Sequence, residues 1–243
     1  MFSLYKKEIA SFFSTLTGYL VVGIFLILTS LFLWVIPGEM NILYGGYATL
    51  ESLFYLAPWL YLFLVPAVTM RLFADEKRTG TIELLYTRPL SEFHVVLAKY
   101  LAGLTLVIIS LLPTFIYFYS VVQLGNPVAN IDFGGTWGSF IGLFFLAGIY
   151  VSIGVFCSSL TDNQIVSFVL AVVISFVFYY GFDAMSQLIT SQKMQSLVLY
   201  LGIDEHYSSI SRGVIDSRDL LYFLSVITLF LFFTRTVLSS RKW

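Results

Sequence analysis

The chain has 243 residues, 58% hydrophobic, 18% aromatic and only 11% charged, with a formal charge of -1. A soluble domain carries about a quarter charged residues, so a water-soluble globule is excluded. The single cysteine, Cys157, excludes an intramolecular disulfide.

Residues 1–17 come first. Phe2, Tyr5, Ile9, Phe12, Phe13 and Leu16 recur at helical spacing against Ser3, Lys6, Lys7, Ser11 and Ser14, which predicts an amphipathic helix lying in the membrane interface. Uncharged runs follow at Gly18 to Ile36, Leu53 to Met70, Tyr100 to Val122, Trp137 to Cys157, Ile165 to Phe182 and Leu220 to Thr234. Each is close to the roughly 20 apolar residues that cross a bilayer. The first is too long for a signal-peptide core and ends in Pro37-Gly38-Glu39, so it reads as a retained span. Continuous apolar runs exclude the alternating strands of a barrel, which leaves an all-α integral membrane bundle of six spans in one domain.

Even spans bring both termini to one side. That side then collects Lys6, Lys7, Arg71, Lys77, Arg78, Arg88, Lys99, Arg235, Arg241 and Lys242, ten of the 13 basic residues. The other side keeps Lys193, Arg212 and Arg218. The positive-inside rule predicts cytoplasmic termini.

Between the second and third spans, the polar segment 71–99 holds the densest charge. Gly80 is positioned to open a short helix, Glu83 to cap it and Pro89 to end it, with Ile82, Leu85 and Tyr86 on one side. Ser91 then caps the helix that enters the third span. The result is a surface knob of the kind that enters a partner's groove.

In the fourth span Gly134, Gly138 and Gly142 recur every four residues, with Gly148 and Ser152 near the same face. Small residues let helices approach in lipid, either between subunits or within one. Pro58, Pro66 and Pro113 predict kinks. The loop 183–219 is too apolar for a solvated linker, since it carries Met185, Leu188, Ile189, Leu197, Val198 and Leu201, and short re-entrant helices are expected there.

No ionisable residue falls within the six runs so bounded, which disfavours an ion-driven carrier. No H-E-x-x-H, G-x-S-x-G or Gly-Lys pair occurs, so neither a catalytic or metal site nor a phosphate-binding loop is expected in this chain. Any driving energy would come from another polypeptide.

The run Asp75-Glu-Lys-Arg-Thr-Gly-Thr-Ile-Glu-Leu-Leu-Tyr-Thr-Arg-Pro89-Leu-Ser closely resembles the segment between the second and third spans of the permeases of type-2 ABC exporters, the ABC-2 family. Ser158-Ser-Leu-Thr-Asp-Asn-Gln-Ile165, the turn between spans four and five, is a second family-like patch. The interfacial helix and the long loop before the last span agree with the family plan. The stretches Ala57-Pro-Trp59, Val65 to Arg71, Gln123 to Pro127 and Ser211 to Asp219 resemble the permease subunit associated with bacterial gliding motility, of the GldF type.

In that family the first segment is a coupling helix that docks on the ATP-binding subunit. The resemblance therefore implies contacts to a P-loop ABC ATPase from Glu76, Gly80, Thr81, Glu83, Leu84, Leu85 and Pro89. It also implies ATP and Mg bound by that partner with no cofactor on this chain, a second permease half (a copy or a related subunit), a bacterial inner membrane, and no nucleic-acid partner. The leading expectation is a non-catalytic permease subunit of an ATP-driven transporter. The alternative is a membrane scaffold that recruits an ATPase and extracytoplasmic partners for mechanical work.

Overall fold

The computed structural model describes residues 1–83, 91–214 and 216–240. The described chain is all helical, and six helical stretches are long and apolar enough to cross a membrane. An N-terminal helix α1 (Phe2–Ser14) precedes the first span, α2 (Leu16–Ser30) with a π-helical turn over Leu31–Val35. The second span joins α3 (Glu51–Thr69) to α4 (Arg71–Arg78) through a turn at Met70. The third is α5 (Glu92–Leu111) followed by a 3-10 turn, Leu112–Thr114, and α6 (Phe115–Leu124). The fourth is α7 (Phe133–Leu160), and the fifth is α8 (Gln164–Phe176), continued by a π-helical turn at Val177–Gly181 and α9 (Phe182–Ser186). Two short helices, α10 (Gln192–Leu199) and α11 (Ile203–Ser211), lead to the sixth span, α12 (Ser217–Ser239).

Side chains that prefer caps set the starts. Ser91, Asp132, Asn163 and Asp216 each accept a first-turn amide, from His94, Gly135, Ile165 and Arg218 respectively. Pro113 lies in the 3-10 turn that interrupts the third span, because a proline lacks the amide an α-helix needs.

The fourth span is the axis of the bundle. It packs against α3, α5, α8, α11 and α12, and its small residues are what permit this. At Gly138 an added Cβ would fall on the Ile210 carbonyl and within 3.0 Å of Gly213 Cα. At Gly142 it would meet the Tyr207 ring at 3.1 Å, and at Gly148 the tip of Ile227 at 3.0 Å and the Tyr100 hydroxyl at 3.1 Å. Ser152 is fully buried, its hydroxyl returned to the Ile149 carbonyl at 2.7 Å. The glycine face is thus occupied by neighbours from the same chain. Gly154, which the spacing did not single out, meets Thr69 on α3.

The helices extend beyond the apolar runs at the end that carries α1. The second span continues to Arg78 and the third begins at Glu92, so Arg71 through Arg78 and Lys99 lie within long helices. The six apolar runs themselves carry no charged residue, and the charges lie in the helical extensions beyond them. The charges do not end the helices because they are paired, as described next.

Candidate functional site

At the end that carries α1, helix α4 is held by the chain on three sides. The first tie is ionic. Lys99 on α5 is fully buried, and its ammonium lies 3.0 Å from Glu8 of α1, 2.8 Å from Glu76 of α4 and 2.6 Å from the Leu72 carbonyl. The ammonium donates hydrogen bonds to Glu8 and the Leu72 carbonyl and is ion-paired with Glu76. Lys7 completes the cluster, 3.1 Å from Glu76 and 3.7 Å from Glu8. Burial lowers the affinity of Lys7 for its proton, but the two carboxylates outweigh it and the net shift is upward. Two cations thus balance two anions in a place where an unpaired charge would be costly.

The second tie is at Arg71. Its guanidinium donates to Thr17 at 3.0 Å and Thr15 at 3.1 Å, in the junction between α1 and α2, and lies 4.9 Å over the Phe12 ring. The third is the turn between the fourth and fifth spans. The break at Met70 frees the amides of Phe73 and Ala74, and the Ser158 hydroxyl accepts both, at 2.9 and 3.1 Å, while donating to the Met70 carbonyl at 2.8 Å. Ser158 therefore acts as an N-cap supplied from another helix. Lys77 donates to the Ser159 carbonyl and Gln164 to Asp75.

The face of α1 turned into the bundle is Leu4, Glu8 and Phe12, one residue per turn. Apolar periodicity could not reveal an acid on that face, since its partner lies 91 positions away. Glu76, expected at a partner contact, is instead nearly buried and turned inward on Lys99. Gly80, expected to open a helix, lies between two helical stretches, closing α4 while helical residues resume at Ile82 and Glu83. It stands just past α4 with φ +70°, and its amide returns to the Lys77 carbonyl at 3.2 Å. That conformation suits glycine and ends a helix at its C-terminus. Thr81 and Glu83 are exposed, whereas Leu84, Leu85 and Pro89 lie outside the described residues.

The arrangement borders a small cavity between α1 and α4, lined by Lys7, Glu8, Arg71, Asp75 and Glu76, and among the described residues it holds no catalytic constellation. It is a junction at which α1, α4, α5 and the turn between spans four and five are fixed to one another.

The model of the ABC-2 family transporter proteins matches residues 4–241, nearly the whole chain. The chain belongs to the ABC-2 transporter family. It is accordingly a multi-pass membrane protein and the non-catalytic, membrane-spanning permease component of an ABC transporter, a family whose permeases imply an ATPase partner. A search of curated proteins finds no match. In this ABC-2 permease the two patches that carried the resemblance, 75–91 and 158–165, are in direct contact through Lys77 with Ser159 and Asp75 with Gln164.

Proposed function

We propose that this permease couples ATP hydrolysis by a separate P-loop subunit to export or mechanical work across a bacterial inner membrane. The 80–91 segment is the docking element, and the end bearing α1 faces the cytoplasm. ATP and Mg are bound by the partner, and two permease halves, identical or related, complete the machine. The observation that supports this most is the three-way fixation of α4. A docking element that moved alone would transmit nothing, whereas one anchored through Lys99, Arg71 and Ser158 carries the first three spans and the turn before the fifth with it.

The basic residues at that end, Lys6, Lys7, Arg71, Lys77, Arg78, Lys99 and Arg235 among the described ones, support its placement in the cytoplasm. The likeness of four stretches to a gliding-motility permease supports a motility or secretion system as the setting.

The test is reconstitution with the cognate ATPase in liposomes. The isolated chain is expected to hydrolyse no ATP. The complex should move a substrate or an extracytoplasmic partner in an ATP-dependent way. Replacing Glu83→Lys and Leu84→Ala together should abolish co-purification of the ATPase while leaving the permease folded. Full ATPase recovery with that double variant would remove the docking assignment.

A further inference from the structure

At the opposite end of the bundle, His206 on α11 is nearly buried between two acceptors. Its Nδ1 lies 2.7 Å from Oδ1 of Asp219, in the first turn of α12, and its Nε2 lies 3.0 Å from the carbonyl oxygen of Tyr200, at the end of α10. The imidazole stacks on Tyr222 of α12 with ring centroids 3.9 Å apart, and the Tyr222 hydroxyl donates to the Leu201 carbonyl at 2.7 Å. Histidine and tyrosine thus hold two successive carbonyls of the turn between α10 and α11 against the start of the sixth span.

A peptide carbonyl accepts only, and so does an ionised carboxylate. Both contacts of His206 exist together only if the His206–Asp219 pair carries one proton more than a neutral imidazole beside a carboxylate. That extra proton lies in the contact between Nδ1 and Oδ1, and Oδ2 of Asp219 is buried with no hydrogen-bond partner among the described residues. When the proton leaves, one ring nitrogen must present a lone pair to an oxygen. The bond to the charged Asp219 is the stronger of the two, so the contact to Tyr200 is the one lost.

We propose that His206 and Asp219 form a proton-operated latch that fastens the α10–α11 turn to the sixth span at low pH and releases it as pH rises. The groups facing the ring are Asp219 and Tyr222 from α12 and Tyr200 from the end of α10. On its own helix Asp204 and Glu205 precede it. Among the described residues no lysine or arginine pairs with Asp219. The latched form binds one proton more than the released form, so latching is favoured by acid and lost with alkali.

The experiment is hydrogen exchange at the Leu201 and Gly202 amides, whose acceptors are the Val198 and Leu199 carbonyls, on the full chain in nanodiscs and corrected for intrinsic exchange. Protection should fall by up to about tenfold per pH unit once the proton begins to leave. Asp219→Asn should remain protected with no pH slope, because its amide donates to Nδ1 while a neutral ring still donates from Nε2 to Tyr200. Tyr222→Phe should lower protection yet keep the slope. The chain has two histidines, so in His94→Gln the nitrogen-15 spectrum reads His206 alone, and Nε2 should carry a proton under latched conditions and lose it on release. Protection independent of pH in the wild type, a slope retained in Asp219→Asn, or a singly protonated His206 beside an ionised Asp219 under those conditions would each overturn the latch.

Discussion

Replacing Lys99 by methionine should destabilise the permease by about 3 to 5 kcal/mol, the usual cost of removing one partner from a buried ion pair. Methionine keeps the apolar stem, so the loss isolates the ammonium. Without it, Glu8 and Glu76 retain only Lys7, whose side chain is 60% exposed and which reaches Glu8 only at 3.7 Å. The Leu72 carbonyl loses its ammonium donor as well. The measurement is the unfolding midpoint in detergent. The decisive comparison adds Glu8→Gln and Glu76→Gln, which remove the stranded charges. The triple variant should recover much of the loss, because replacing a whole buried ion cluster by neutral groups is often close to neutral. A Lys99→Met protein as stable as the wild type would show that the cluster does not hold α1, α4 and α5 together.

Adding a methyl at Gly138 should cost about 1 to 3 kcal/mol or more, since it forces α7 away from α11. Its obstacles are main-chain atoms, the Ile210 carbonyl and Gly213, and no side-chain truncation can make room. Gly154→Ala should cost a comparable amount by striking Thr69, but there the obstacle is a side chain. Gly154→Ala combined with Thr69→Gly should therefore recover stability that no second substitution restores for Gly138→Ala. Gly23 has open space around it, so Gly23→Ala should leave the unfolding midpoint essentially unchanged. Equal effects at Gly23, Gly138 and Gly154 would mean that helix propensity, and not close approach, governs these sites.

The six spans were legible because an uncharged apolar run of bilayer length is stable in few settings besides a membrane. The start of the helix that enters the third span was legible too. Ser91 reads as a cap from its place before a helical pattern, and it accepts the His94 amide as expected. The ends of the second and third spans were not. Charges normally mark a boundary, and only the pairing of Lys99 with Glu8 and Glu76 lets the helices run on. That pairing joins residues 91 positions apart, beyond the reach of any periodicity. The same limit hid Ser158, whose hydroxyl serves amides 84 and 85 residues earlier. The glycine spacing revealed a packing face but not what packs there, since the occupants come from α11 and α12. The π-helical turns at Leu31–Val35 and Val177–Gly181 left no signal in composition or pattern.

Gly80 shows how a correct signal supports two readings. Glycine before a capping acid fits the start of a helix, and glycine after Lys77-Arg78 fits an end. Both hold: its positive φ ends α4, which becomes part of the second span, and helical residues resume at Ile82 and Glu83. For the proposed coupling this matters, because residues 81–83 follow directly from a helix that the bundle already holds.

Site-specific photo-cross-linking in intact membranes tests the central claim most directly. A cross-linker at Thr81 should yield a covalent adduct whose second component is a Walker-motif ATPase, and one at Tyr47 or Leu188, exposed elsewhere on the chain, should yield none. Adducts with that ATPase from Tyr47 or Leu188 but not from Thr81 would contradict the assignment of the 80–91 segment as the coupling element.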